Sequence, residues 1–85
     1  MEYVYILKLN TKKLYTGRTS DLRRRISEHK SGKVRSTNKK SPVLIHYEAY
    51  LLSSDANRRE KYLKTTEGKR FLHRQLKDLL KQEGF

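Results

Sequence analysis

Tyr3-Val4-Tyr5-Ile6-Leu7-Lys8-Leu9, then Asn10-Thr11-Lys12, then Lys13-Leu14-Tyr15-Thr16-Gly17-Arg18 is the stretch that decides the fold. Its first part is β-branched, aromatic or aliphatic at every position except Lys8, the composition of a strand. Asn10 to Lys12 carries turn chemistry, because an asparagine side chain can hydrogen-bond nearby backbone in place of a ladder. Lys13 to Arg18 reads as a second, shorter strand, so residues 3–18 form an antiparallel hairpin. Gly17, near its end, marks a close backbone approach or a bulge. Tyr5 and Tyr15 share a face of this hairpin only if paired residue numbers sum to an even value, as when Leu7 lies opposite Tyr15. A slip of one residue puts them on opposite faces.

Outward from the hairpin, Ser20 or Asp21 caps a helix running to about Ser31, with Gly32 as its C-terminal stop. Leu22, Ile26 and His29 form one stripe of that helix, and Arg25 lies at its edge. Lys30 to Ser41 holds five positive charges and no negative one, and reads as an exposed loop closed by Pro42. Val43 to Leu51 is a third strand. Ser53 or Ser54 caps a second helix that ends near Lys64, with Ala56, Glu60 and Leu63 on one face. Thr65-Thr66-Glu67-Gly68 interrupts it. A third helix spans Lys69 to Gln82, with Phe71, Leu72, Leu76, Leu79 and Leu80 as its apolar stripe. The order β-β-α-β-α-α predicts an α/β fold: a small three-stranded, mainly antiparallel sheet flanked by helices, one domain over residues 1–85.

Charge narrows the function. Twenty-one Lys and Arg against nine Asp and Glu leave +12 on 85 residues, a self-repelling balance that calls for a polyanionic partner. The absence of Cys excludes a disulfide scaffold, a thiolate zinc site and a cysteine nucleophile. Three His make an all-histidine metal site a poor reading. No apolar run approaches the length of a membrane span, and Met1-Glu2-Tyr3-Val4 has neither the basic nor the apolar region of a signal peptide. The expectation from composition and charge is a soluble, basic protein of a reducing compartment that meets nucleic acid.

Two residues strain a purely structural reading. Arg25 and Glu60 bring charge to stripes that should be apolar, and buried charges need partners or something to coordinate. The bland account has Arg25 snorkelling and Glu60 paired with Arg59 or a lysine. Tyr3, Tyr5 and Tyr15 crowd one hairpin. Their ordinary roles are core packing or base stacking. A tyrosine, with a pKa of about 10, becomes a base near neutral pH only if positive charge or a metal stabilises the phenolate.

These residues match a known pattern. Tyr3-Val4-Tyr5 and Tyr15-Thr16-Gly17, nine residues apart, resemble the paired signature of the GIY-YIG nuclease superfamily. Tyr15 to His29 is similar to its second motif, turn and arginine-bearing helix, and Ala56 to Lys64 to the helix with its glutamate. The match covers residues 3–64. The last helix resembles the ending of small stand-alone bacterial members, a type related to the N-terminal nuclease domain of UvrC.

The resemblance implies a divalent-metal-dependent DNA endonuclease that hydrolyses phosphodiester bonds, in DNA repair or recombination, and with it the expectation becomes a cytoplasmic, nucleoid-associated monomer whose partner is DNA. Its two tyrosines fall on Tyr5 and Tyr15, its arginine on Arg25, a position often held by His or Tyr on His29, and its metal-binding glutamate on Glu60. The implied ion is Mg²⁺, with Mn²⁺ as the other candidate. A basic residue after the second motif falls on Arg18, and Lys30, Lys33, Arg35, Lys39 and Lys40 are the further DNA contacts. Tyr3 and Thr16 depart from the family's glycine and isoleucine, and no asparagine follows Asn57 to fill a supporting role found in longer members. On this reading Tyr5 is the general base, Tyr15 orients it or shares the role, and Arg18, Arg25 and the metal stabilise the phenolate. Shifting a phenol from about 10 to near 7 takes roughly 4 kcal/mol. Glu60 is expected to face the cleft with no basic partner. The competing readings are a non-catalytic nucleic-acid-binding module on the same fold, and a structural basic protein of ribosome or nucleoid.

Overall fold

The computed structural model describes residues 1–85. Strands β1 (Glu2–Lys8), β2 (Leu14–Thr19) and β3 (Val43–Tyr50) form one antiparallel sheet in the order β2-β1-β3. Helix α1 (Leu22–Lys30) follows β2, and α2 (Ser53–Leu63), α3 (Thr66–Gln75) and α4 (Lys77–Gln82) follow β3. The expected α/β architecture holds.

β1 is the central strand, which explains its nearly unbroken apolar run: Val4, Tyr5, Ile6 and Leu7 are all buried. Alternation divides them between two cores. Val4 and Ile6 pack with Ala56 and Leu63 of α2 and Leu72 of α3. Tyr5 and Leu7 pack on the other face with Leu9, against Leu22 and Ile26 of α1. The hairpin register pairs Tyr5 with Gly17 and Leu7 with Tyr15, so the even-sum condition is met and both tyrosines face α1. β3 pairs with β1 through a register shift between Ile6 and Leu7, which sets Ile6 opposite His46 and Leu7 opposite Leu44.

Local chemistry sets most helix ends. The Asp21 side chain accepts a hydrogen bond from the Arg24 N–H and caps α1, while Gly32 takes a positive φ of 81° just beyond its end. Thr65 caps α3 by accepting from the Gly68 N–H at 3.0 Å. α2 departs from expectation, because its N-cap is Leu52 and neither Ser53 nor Ser54 caps it. The continuous helix expected over 69–82 is two helices. α3 begins earlier, at Thr66, and the chain breaks at Leu76, which has a non-helical ψ of 27°. No Pro or Gly marks that break. It lets the chain turn so that both Leu72 and Leu80 are buried. Gly68, expected in the interruption, lies in the first turn of α3 and is buried; a side chain there would collide with the Tyr62 carbonyl.

The basic segment after α1 is not the free loop its composition predicts. Arg35–Thr37 forms a 3₁₀ turn, and Val34 and Thr37 are buried. The Asn10 N–H donates to the Lys40 carbonyl at 2.7 Å, tying the segment to the hairpin turn.

Candidate active site

Gly17 is where the hairpin and the site meet. The ring of Tyr5 crosses directly over it, and a Cβ at this position would collide with the phenol's outer atoms. The glycine is therefore a close approach, and it lets the Tyr5 hydroxyl reach over β2, the edge strand. There the hydroxyl lies 2.8 Å from Nε2 of His29, in the last turn of α1. Tyr15 packs beside both, with ring centroids 6.4 Å from Tyr5 and 5.2 Å from His29. His29 is only 1% exposed. Its other ring nitrogen, Nδ1, lies 2.7 Å from the hydroxyl oxygen of Thr37. Late helical histidines are commonly packing or capping residues, whereas this one bridges a tyrosine and the basic segment.

Arg25 lies one turn before His29, with its guanidinium close enough to the Tyr5 hydroxyl to favour the ionised phenol. It also donates to Glu28 at 3.1 Å, and its side chain is 37% exposed. Burial raises the pKa of Tyr5, and Arg25 only partly offsets this. At rest the phenol is therefore protonated at neutral pH. Burial, and secondarily the charge of Arg25, lower the pKa of His29, which leaves its imidazole neutral.

The acidic member stands on the other face of the sheet. Glu60 projects from α2 and Arg18 from β2, and they approach to 3.6 Å. Arg18 also holds Glu2 at 2.9 Å. Its guanidinium is thus held by Glu2 and Glu60. Glu60 is not free of basic partners either, because Lys64, four residues on, reaches its other oxygen at 3.1 Å. That lysine is 56% exposed, and such a pair contributes at most about 1 kcal/mol. The lysine half of the bland account thus holds. Arg59 instead donates two hydrogen bonds to Glu48.

Glu60 is near enough that its charge adds slightly to the raised pKa of Tyr5, which burial dominates. No three His, Asp or Glu side chains gather into a closed metal cage. A lone carboxylate fits an ion such as Mg²⁺, which keeps most of its waters and takes further ligands from substrate phosphate.

Lys30, Lys33, Arg35 and Lys39 are exposed and Lys40 partly so, and none has an acidic partner. Their charge is available to an external polyanion. The largest surface groove, about 740 Å³, lies apart from the Tyr5 hydroxyl, between α1 and β3, lined by Tyr3, Arg23 and Tyr47 among others. A phosphodiester backbone is reached at an open edge, so this separation does not count against the site. Reading the sequence missed Thr37 and Glu28. Glu28 could have been found as an i, i+3 partner of Arg25, whereas nothing in the pattern marks Thr37.

Comparison with known proteins places these residues in context. The model of the GIY-YIG catalytic domain matches residues 1–74. A UPF0213 protein of Haloquadratum walsbyi is 37% identical over 84 residues, 96% of this chain and 88% of that protein. One of Clostridium perfringens is 41% identical over 66 residues, covering 75% and 71%. The solution NMR structure of a UPF0213 protein from Bacillus halodurans superposes with a TM-score of 0.55 at 34% identity, over 85% of this chain and 82% of that one. No helix is long and apolar enough to cross a membrane. The chain belongs to the GIY-YIG catalytic domain family, a nuclease-type family acting on nucleic acid, and its relatives are small UPF0213 proteins.

Proposed function

We propose that this protein is a divalent-metal-dependent DNA endonuclease serving DNA repair or recombination, with residues 1–85 as a single nuclease domain acting as a monomer in the cytoplasm, at the nucleoid. The observation that carries the reading is the Tyr5 hydroxyl, 2.8 Å from a neutral, buried imidazole and beside a partly exposed guanidinium. A buried packing tyrosine needs one hydrogen-bond partner, but it does not need a cation beside that partner.

Lys30, Lys33, Arg35, Lys39 and Lys40 bind the DNA backbone. Arg18 reaches phosphate by exchanging Glu2 for it. Arg25 pivots from Glu28 and Tyr5 to the scissile phosphate, where its planar fork makes charge-assisted hydrogen bonds. That movement opens the Tyr5 oxygen to a water. Tyr5 takes a proton from the water as it passes its own to Nε2 of His29, so the imidazole ends as imidazolium and no phenolate needs to persist. Tyr15 orients the pair. Glu60, released from Lys64, holds Mg²⁺ or Mn²⁺, which supplies charge neutralisation at the leaving oxygen.

A metal-dependent cleavage assay on single-stranded, duplex and branched DNA, with Glu60→Ala as control, tests this. Cleavage by the wild type that needs Mg²⁺ or Mn²⁺ and is lost in the variant is expected. Metal-independent cleavage, or none on any substrate, overturns it. The pairing of Glu60 with Lys64 and Arg18 favours one second reading, a nucleic-acid-binding module without chemistry, which predicts tight binding and no product.

A further inference from the structure

Thr37 lies in the middle of the basic segment, yet it is wholly buried and its hydroxyl oxygen is 2.7 Å from His29 Nδ1. The hydrogen-bond partners around it admit one consistent arrangement. Tyr5 is buried, and its hydroxyl proton needs an acceptor. Arg25, the other polar group beside it, has none to offer, because a guanidinium only donates. The proton therefore points at His29 Nε2. A neutral imidazole with a bare Nε2 carries its hydrogen on Nδ1. That hydrogen points at the Thr37 oxygen, and the Thr37 hydroxyl proton goes on to the Val34 carbonyl at 3.5 Å. The reverse tautomer would aim an Nε2 hydrogen at Tyr5 and leave the buried phenol proton without a partner.

We infer that Thr37 is a positioning residue: its hydroxyl oxygen fixes His29 in the tautomer whose bare Nε2 can receive the proton of Tyr5. The inference rests on the nuclease reading above for its consequence in catalysis, but not for the tautomer itself. One proton moves, from the Tyr5 oxygen to Nε2, while the Nδ1 hydrogen stays with Thr37 and holds the resulting imidazolium. The same segment presents Lys33, Arg35, Lys39 and Lys40 to the backbone of DNA. One short turn thus both carries phosphate contacts and sets the protonation geometry of the site. The groups facing His29 are Tyr5 from β1, Tyr15 from β2, Arg25 and Glu28 from its own helix, and Thr37 from the segment.

The test combines the nitrogen NMR signature of His29 with cleavage kinetics for wild type, Thr37→Val, Thr37→Ser and Tyr5→Phe. In the wild type the histidine should show a protonated Nδ1 and a bare Nε2. Thr37→Val keeps the shape but offers no acceptor, so the ring should switch to the Nε2–H form. The cleavage rate should fall by about tenfold or more, part of the range of general acid–base catalysis. The imidazolium also loses a partner, so the acidic limb of the pH–rate profile should move to lower pH. Thr37→Ser should restore tautomer, rate and limb together. A wild-type histidine with Nε2–H overturns the inference without any variant. So does a Thr37→Val protein with unchanged tautomer, rate and pH limb, or a Thr37→Ser protein as impaired as the valine variant. Absence of cleavage by the wild type overturns the nuclease reading, full cleavage by Tyr5→Phe removes Tyr5 from the chemistry, and in either case the tautomer still decides the role of Thr37.

Discussion

Around Glu48 a tyrosine, a histidine and an arginine converge on one carboxylate: Tyr50 donates at 2.8 Å, His46 lies at 3.1 Å, and Arg59 donates at 2.9 and 3.2 Å. Around Tyr5 the same three residue types meet with no carboxylate at the centre. Burial pushes the pKa of Glu48 up, but the bonds from Arg59, His46 and Tyr50 together hold it below the usual carboxylate range. The Arg59 guanidinium also stacks over Tyr62 and Phe71, so the cluster cross-links β3, α2 and α3. Its charges close on each other. In the Tyr5 cluster Arg25 stays half exposed and His29 stays neutral, so an incoming anion and a proton both have somewhere to go. What separates the two clusters is how firmly the charges are held, not which residues are present: Arg59 grips Glu48 with two bonds at 22% exposure, whereas Arg25 and Lys64 hold their carboxylates at 37% and 56% exposure.

The sharpest way to break this comparison is to remove the charge from each carboxylate. Glu60→Gln should abolish metal-dependent cleavage while chemical denaturation shifts by no more than about 1 kcal/mol, since its lysine is mostly in water. Metal-free DNA binding should stay or tighten slightly. Glu48→Gln should do the reverse: it leaves Arg59 without its partner and costs about 3 kcal/mol of stability, while the folded fraction still cleaves at the wild-type rate. An active but destabilised Glu60→Gln protein would make Glu60 a second Glu48.

The tyrosines offer a matched pair of smaller changes. Tyr5→Phe should slow cleavage by about 10²- to 10⁴-fold, the span of a lost proton-transfer group, with DNA affinity held. Tyr50→Phe should leave the rate alone and cost about 1 kcal/mol, one hydrogen bond. Equal rates in the two variants would make Tyr5 a packing residue. Arg25→Lys keeps the charge but loses the fork and should not restore activity.

Acid should dissolve the clusters in separate windows. His29 has a lowered folded pKa, so the unfolded chain takes up its proton first, near 6.5. Stability from this group is lost as pH falls from about 6.5 toward the folded value. Glu48 is also lowered, so its contribution is full above about 4.3 and disappears as pH falls through its folded value. Urea midpoints measured against pH should show both losses. His29→Gln should flatten only the upper one and Glu48→Gln only the lower.

The smallest effect concerns the charges that neither cluster uses. If about five phosphates are neutralised, log affinity should fall with log salt at a slope near −4.5, and each of Lys33→Ala and Arg35→Ala should reduce it by about 0.9. A flat salt response would remove DNA as the partner.

Local chemistry made much of the fold legible. The strand composition of residues 3–9, the turn at Asn10 and a cap at Ser20 or Asp21 act within a few residues, and pattern shows them directly. Gly17 marked a close approach or a bulge, and the ring of Tyr5 over it makes it the first. The split at Leu76 was not legible, because the leucine spacing runs on unbroken and only burial of Leu72 and Leu80 together turns the chain. The site divides in the same way. Arg25 and Glu60 stand out in the sequence as charges on apolar stripes, and Tyr5 and Tyr15 by the crowding of tyrosines in one hairpin, whereas His29 enters only through the resemblance to the GIY-YIG family. Tertiary structure alone decided that Arg18 holds Glu2 and Glu60, that Lys64 holds Glu60, and that Thr37 is buried against His29. Side-chain pairing depends on which ends of long, flexible chains meet in space, and a threonine in a run of lysines gives no sign of its burial. The sequence by itself determined which groups could do chemistry; the fold decided which of their charges are gripped firmly and which are held only at the surface, because that depends on contacts between residues far apart in the chain.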